Sequence, residues 1–487
     1  MIHFTTNLPD LTADLYDVIR LFYGNTPISA DEGDLRIAHI HAESEGRWLE
    51  TATCCGETAE FCADVSDGSP VEQKRVLKRA AKTALFLLLQ KTSGIQPPWG
   101  SLTGIRPTRL VYEAMAGGMS LPEAEQFMMD RYFVSPDKAR LLSEIVQMQQ
   151  GIHDAPRDKF DLYIGIPFCT TRCLYCSFAS GEIGNGKRTE PYVQALIWEI
   201  ELSAELMREA GCTVRSAYMG GGTPTSISAD QLRRILEAAQ RCFPGAVEWT
   251  VEAGRPDTIT REKLQVMRDM GITRISVNPQ TFSDDTLKKI GRAHSAGETI
   301  RAFWMARNMG FSHINLDLIA ALPGETMAYF ERSLKTCIAL DPESITVHSL
   351  SVKRSSKLHE KIVTGGAAYV QADVPEAARM ISTAREMLHE AGYKPYYLYR
   401  QKYMAGNLEN VGYAKPGHAC LYNIGNMEET ANVLALGAGG ISKWLFDRER
   451  RIDRAPNLRN IDEYTRRVEE MVERKRELIL SDGGEDA

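Results

Sequence analysis

The chain has 487 residues, is 43% hydrophobic and 25% charged, and carries a net charge of −7. That composition predicts a soluble globular protein of two or three domains, and the acidic balance argues against a broad nucleic-acid-binding face. No basic segment followed by an apolar one opens the sequence, apolar runs such as 84–89 fall far short of a bilayer span, and ten cysteines without an export signal predict reduced thiols in the cytoplasm.

In chain order, residues 1–150 read as an α+β domain. Strand-like runs over 35–41 and 51–65 precede a helix over 71–90, a turn-rich break at 96–100 and further helices to 150. The run Leu102-Thr103-Gly104-Ile105-Arg106-Pro107-Thr108-Arg109 reads as a helix start with a basic exposed face. Residues 161–350 alternate strand and helix. Strands are expected over 161–166, 214–219, 247–252, 274–277, 314–319 and 344–350, and helices over 191–210, 229–242, 260–270, 284–290, 299–309 and 326–339. Six such steps, wrapped by right-handed crossovers, predict a parallel, partly open barrel with its ligands beyond the C-terminal strand ends. After it come a flexible stretch over 353–366, a helix over 375–391, an aromatic strand over 393–403, glycines at 437, 439 and 440, a terminal helix over 461–480, and a disordered tail over 481–487. The fold class is thus α/β: a partial (β/α)6 barrel over 160–351, an N-terminal α+β domain, and a C-terminal α+β extension over 352–480.

The first barrel strand delivers Tyr163-Ile164-Gly165-Ile166-Pro167-Phe168-Cys169-Thr170-Thr171-Arg172-Cys173-Leu174-Tyr175-Cys176. The spacing C-x3-C-x2-C places three thiols on one short loop. Such a loop suits three corners of a four-iron cluster and leaves one iron open for a small molecule, whereas four protein ligands suit electron carriage. Structural zinc is a rival, but it wants four ligands, and the nearest further candidates, His153 and Cys212, lack knuckle spacing. Plain buried or redox cysteines are the other rival; outside the motif, Cys54, Cys55, Cys62, Cys212, Cys242, Cys337 and Cys420 are read as core or incidental.

Further segments fall at strand ends: Gly220-Gly221-Gly222-Thr223-Pro224-Thr225, Thr250-Val251-Glu252, Ser276-Val277-Asn278-Pro279-Gln280-Thr281-Phe282, Ile290-Gly291-Arg292-Ala293-His294 and Asn315-Leu316-Asp317-Leu318-Ile319-Ala320-Ala321-Leu322-Pro323-Gly324. Together with the cysteine loop they resemble the radical S-adenosylmethionine (SAM) superfamily, and within it the oxygen-independent coproporphyrinogen III oxidase (dehydrogenase) family in its HemZ-like branch. The resemblance covers about 160–440. It departs at Gly165, where the family pattern has histidine.

The resemblance implies a [4Fe-4S] cluster on Cys169, Cys173 and Cys176, and SAM, in one copy or two, whose reductive cleavage yields a 5′-deoxyadenosyl radical. It implies backbone approach to SAM at Gly221, Gly222 and Thr223 and a carboxylate partner in Arg292. It further implies amino or ribose contacts from Glu252, Gln280 and Asp317, packing by Tyr163 and Tyr175, and an adenine-side contact at Ser351. No catalytic side chain is assigned. The implied reaction removes a β-hydrogen from each of two propionates; each then loses carbon dioxide and one electron to leave a vinyl group, converting coproporphyrinogen III to protoporphyrinogen IX in haem biosynthesis. The implied partners are the tetrapyrrole and a low-potential donor such as flavodoxin or ferredoxin, with no nucleic acid. Arg172, Lys353, Arg354, Arg400 and Lys415 are candidate cations for the substrate carboxylates.

Two other functions stand beside this one. Haem-binding chaperones resemble the chain around Gly412-Tyr413-Ala414-Lys415-Pro416-Gly417 and then carry His-Asn-x-x-Tyr-Trp; here Tyr422-Asn423-Ile424-Gly425-Asn426-Met427 takes that place, without the histidine and both aromatics, and Met427 reads as packing. A radical enzyme acting on another tetrapyrrole would use the same cofactor site. Dehydrogenases of the main branch continue past the position of Leu478 into a further domain, so part of the substrate lid is expected to be absent or supplied by residues 1–150.

Overall fold

The computed structural model describes residues 1–24, 26–65, 68–178, 180–353, 356–364, 374–400, 408–446 and 451–480. They form two compact units, one of residues 1–146 with Arg400 and Leu408, the other of the remaining described residues from 147 onward. Arg354, Ser355 and residues 365–366 of the expected 353–366 stretch, residues 401–403 of the expected 393–403 strand, and the tail 481–487 lie outside the described residues.

The first unit contains β1 (Ile2–Thr6), α1 (Thr12–Tyr23), β2 (Ile28–Ser29), β3 (Leu35–Ser44), β4 (Arg47–Cys54), β5 (Glu57–Asp64), α2 (Pro70–Ser93), α3 (Thr108–Ala116), α4 (Leu121–Tyr132) and α5 (Pro136–Met148). Its sheet order is β2-β1-β3-β4-β5. The single run expected over 51–65 is instead the end of β4 and all of β5, joined by a tight turn at Cys55-Gly56 with both residues at positive φ. β1 and α1, which the periodicity did not signal, place Phe4, Leu15, Val18 and Ile19 in a core with Leu85, Phe86 and Leu89 of α2. Ser69 and Glu72 form a capping box that starts α2. Arg400 is buried, donates to the carbonyls of Leu102 (3.0 Å) and Gly104 (3.2 Å), and lies over the Trp99 ring.

The second unit runs β6 (Lys159–Ile166), β7 (Phe168–Cys169), β8 (Gly181–Glu182), α6 (Thr189–Glu209), β9 (Thr213–Gly221), α7 (Ala229–Cys242), β10 (Glu248–Gly254), α8 (Arg261–Asp269), β11 (Arg274–Gln280), α9 (Asp284–Lys289), α10 (Ala296–Asn308), β12 (Ile314–Ala320), α11 (Met327–Ala339) and β13 (Ser344–Ser349). It continues with α12 (Lys357–Val363), α13 (Val374–Glu390), β14 (Lys394–Arg400), β15 (Glu409–Ala414), α14 (Leu421–Glu428), β16 (Asn432–Leu436), β17 (Ile441–Phe446), β18 (Arg451–Pro456), α15 (Ile461–Arg466) and α16 (Val468–Leu480). Six strands pair in parallel in the order β6-β9-β10-β11-β12-β13. The architecture is the partial, open (β/α)6 barrel. Its strands are largely apolar on both faces because helices cover one side and the barrel interior the other; β10, for example, is buried at every position but Glu252.

The sheet does not stop at six strands. β16 pairs in parallel with β6 and leads on through β17 to β18, while β15 pairs antiparallel with β13 and is followed by β14. The register aligns Gly165 with Gly220 and Ile166 with Gly221, which sets the glycine run against the approach to the cysteine loop. The expected terminal helix breaks at Arg467, where φ −125° and ψ 34° leave the helical region and separate α15 from α16. Among the described residues no helix is long and apolar enough to cross a membrane.

Candidate functional site

The cysteine loop leaves the C-terminal end of β6 and is tied on both sides. Gly181 donates its N–H to the Pro167 carbonyl, Ile183 to that of Cys169, Leu174 to that of Ile290, and Leu358 to that of Leu174. Cys169, Cys173 and Cys176 are free and partly exposed. Burial pushes the Cys176 thiol up, and the other two thiols add to the shift. The Thr223 hydroxyl lies 3.6 Å and the Ser180 hydroxyl 3.8 Å from the Cys169 sulfur.

Glycine is required where β9 meets this loop. A Cβ on Gly222 would lie 2.6 Å from the Phe168 carbonyl oxygen and 3.0 Å from the Cys169 sulfur; one on Gly221, at φ +115°, would lie 2.8 Å from the Ile166 carbonyl oxygen. The run therefore closes onto the cysteine loop through bare backbone.

Arg292 is buried beside the loop. It donates to the Tyr175 hydroxyl (3.0 Å) and the Asn278 carbonyl (3.4 Å), and its Nε has no partner among the described residues. Burial opposes its charge, but the Tyr175 phenol and the Cys173 thiol outweigh that and hold it above its ordinary value. Gln280, at the end of β11, has φ +68° and a buried Oε1 without a partner among the described residues. Ser351 lies two residues beyond β13.

A second group lines the barrel interior. Tyr218 stacks on Tyr422 (centroids 4.5 Å apart), and Tyr163 stacks on both at 6.4 and 6.2 Å. The Tyr218 hydroxyl donates to Glu252 (2.6 Å). Burial pushes the Glu252 carboxyl up to about 7, and nearby Asp317 adds to the shift. Asp317 accepts from Asn315 (2.7 Å) and lies 3.9 Å from the His348 imidazole. Of the expected site residues, Gly221, Gly222, Thr223, Tyr175 and Arg292 thus gather at the cysteines, whereas Tyr163, Glu252 and Asp317 gather deeper in the barrel.

Sequence reasoning missed Tyr218, His348, Arg255 and Asp257. Tyr218 carried a signal, two residues before the glycine run on an inward-facing position. Arg255 and Asp257 carried none, because their partners Thr170 and Thr171 are more than 80 residues away. The candidate cations also sort out. Arg172 is half-buried at the loop and Lys353 is exposed. Arg400 is spent on carbonyls in the first unit, and Lys415 pairs with Asp341 (2.7 Å) beside the start of β13, at the barrel end opposite the cysteines. Met427 packs against the aromatic cluster formed by Tyr396, Tyr397 and Tyr422.

The donor set fits an iron–sulfur cluster better than one metal ion. Among the described residues no three His, Cys, Asp or Glu side chains converge as a single ion requires, whereas a cluster takes each thiolate on a different iron. The buried Arg292 balances the charge that thiolates bring.

Comparison with known proteins agrees. Residues 163–337 match the model of the radical SAM superfamily. The chain is 40% identical over 413 residues, 83% of its length and 82% of the relative's, to the oxygen-independent coproporphyrinogen-III oxidase-like protein HemZ of Bacillus subtilis. It is 29% identical over 287 residues to the heme chaperone HemW of Escherichia coli, covering 58% of this chain and 70% of that one. The fold resembles the solved structure of coproporphyrinogen III oxidase (HemN) of Escherichia coli, with a TM-score of 0.52, 22% identity and coverage of 69% and 73%.

Proposed function

The chain belongs to the radical SAM superfamily, in the oxygen-independent coproporphyrinogen-III-oxidase-like family that includes HemZ, and we propose that it is an oxygen-independent coproporphyrinogen III dehydrogenase of the cytoplasm. The observation that carries the reading is the gathering of three free thiols, a bare glycine strand end and the buried Arg292 at one end of the barrel, in a chain 40% identical to a coproporphyrinogen-oxidase-like relative. When bound, the cluster and SAM supply a carbon-centred radical able to take hydrogen from a propionate side chain.

The chain's own residues then have these roles. Cys169, Cys173 and Cys176 hold three irons. Gly221, Gly222 and Thr223 present backbone, and Arg292 pairs with the SAM carboxylate through the geometry a guanidinium offers. Glu252, Gln280 and Asp317 take amino or ribose hydroxyl groups. Tyr163 and Tyr175 pack against the cofactor, and Ser351 meets its adenine side. Tyr218 holds the Glu252 carboxyl in place. The half-buried Arg172 and exposed Lys353 meet substrate carboxylates. A flavodoxin- or ferredoxin-type donor supplies the electron.

The chaperone-named relatives define the rival. Against it, the segment in which chaperone relatives carry histidine is here the helix α14, whose Tyr422 is buried in the tyrosine stack.

The test is anaerobic reconstitution with iron and sulfide, then dithionite, SAM and coproporphyrinogen III. Expected products are 5′-deoxyadenosine and a divinyl porphyrinogen, and Cys173→Ala abolishes both the cluster absorbance and the cleavage. 5′-Deoxyadenosine without vinyl product rejects the substrate. A tight haem complex without cleavage favours the chaperone.

A further inference from the structure

Arg255 follows β10, is 3% exposed, and reaches across to the cysteine loop. Its Nη1 donates to the Thr171 carbonyl (2.9 Å) and hydroxyl (2.8 Å) and lies 4.0 Å from the Cys173 sulfur. Its other edge is braced: Nε donates to Oδ1 of Asp257 at 3.0 Å and Nη2 to Oδ2 at 3.3 Å. Asp257 also accepts from the Thr170 hydroxyl (3.1 Å) and lies 3.6 Å from Nδ1 of the buried His294. Thus Thr170 and Thr171, two of the three residues between Cys169 and Cys173, are each held by one member of this ion pair.

The orientation matters. The carboxylate occupies the Nε–Nη2 edge, so Nη1 is the atom left for Thr171 and Cys173. A buried guanidinium this close to a ligand sulfur stabilises added negative charge there, and hydrogen bonds and charge around the sulfurs are what tune such a cluster. A lysine would keep the charge but lose the planar fork that grips Asp257 and Thr171 together.

We infer that Arg255, braced on Asp257, is a positioning residue of the iron–sulfur centre: it holds the Thr170–Thr171 span in register and sets a positive charge at Cys173, so that the cluster accepts an electron more readily. The inference rests on the reading of Cys169, Cys173 and Cys176 as cluster ligands.

The test reconstitutes the full-length parent, Arg255→Lys, Arg255→Gln and Arg255→Met anaerobically. Circular dichroism checks folding, iron and sulfide are counted per chain, and the midpoint potential is followed by electron paramagnetic resonance during a mediated redox titration. Expected is a shift to more negative potential in Arg255→Gln and Arg255→Met, with Arg255→Lys staying nearer the parent. Folded Gln and Met variants that lose iron while the Lys variant keeps it also support the inference, through the charge at Cys173. Fully loaded variants with the parent's midpoint overturn it, as does an unfolded Gln, Met and Lys set, which would make Arg255 a residue of the fold and not of the centre. A parent that takes up no iron sinks the cofactor reading itself, and this inference with it.

Discussion

Gly165 stands where the family pattern has histidine, and its surroundings are close. A Cβ there would lie 3.4 Å from the Leu436 carbonyl oxygen and from a ring carbon of Tyr163, and 3.9 Å from the Ala438 carbonyl oxygen, so it would meet the end of β16 and the chain after it at ordinary contact distance. Deeper in, Glu252 gives a titration test. Its carboxyl is raised from 4.5 to about 7 by burial, with the Tyr218 hydrogen bond pulling the other way. The folded protein keeps a proton at Glu252 that the unfolded chain releases as the pH passes 4.5. Stability from the neutral carboxyl is therefore complete below that value and is lost as the pH rises through about 7. Urea unfolding at pH 5 and pH 8 should show the parent losing stability at the higher pH. Glu252→Gln, neutral at both, should shrink that loss by on the order of 2–3 kcal/mol; the remainder belongs in part to Glu325, which burial also pushes up to about 7. An unchanged loss in the variant would refute the assignment.

At the scale of elements, α16 is locked to α6 through a buried ion pair. Lys475 donates to Glu199 (2.6 Å) and Asn457 (2.8 Å), and all three are buried. Glu199 also accepts from Tyr464, from Asn457 and from the N–H of Gly437. Gly437 is in turn pressed on the strand end that leads to the cysteines: a Cβ there would lie 2.5 Å from the Gly165 carbonyl oxygen and 2.6 Å from the Tyr192 hydroxyl. The pair thus fixes the loop that fills the space beside Gly165. Removing one partner strands a buried charge, so Lys475→Met should cost about 3–5 kcal/mol. The double variant Lys475→Met with Glu199→Gln should recover much of that. A denaturant double-mutant cycle measures the coupling, and additive single effects would show that the pair is not coupled.

At the scale of the whole molecule, the C-terminal strands belong to the barrel sheet rather than to a separate layer. β16 covers the edge of β6, the strand that delivers the cysteine loop. A chain ended at Glu429 would lose β16–β18, α15 and α16, bare the β6 edge and leave Glu199 without Lys475. It should fail to accumulate as a monomer with parent-like circular dichroism; size-exclusion chromatography and spectra of the truncated protein check this. A monomeric, parent-like product would show that the six strands suffice.

The barrel's strands and helices were legible from sequence because parallel strands read as apolar runs and their covering helices repeat every three to four residues. The helix over 229–242 begins at a capping box, Ser228 with Gln231, which marks its start locally. The hairpin of β4 and β5 was not legible: Cys55-Gly56 makes its turn without the usual asparagine or aspartate before glycine. The chemistry was legible as thiol spacing, a local property. Its setting was not. The grip of Arg255 and Asp257 on Thr170 and Thr171, the stack of Tyr163, Tyr218 and Tyr422, and the pairing of β16 with β6 each join residues far apart in the chain. Periodicity and caps depend on neighbours within a few residues, so the amino-acid order alone determined the barrel's strands and helices and the reactive thiols. Which distant side chains meet is decided only when the whole sheet packs and buried polar groups must find partners, and that is what the tertiary structure decided.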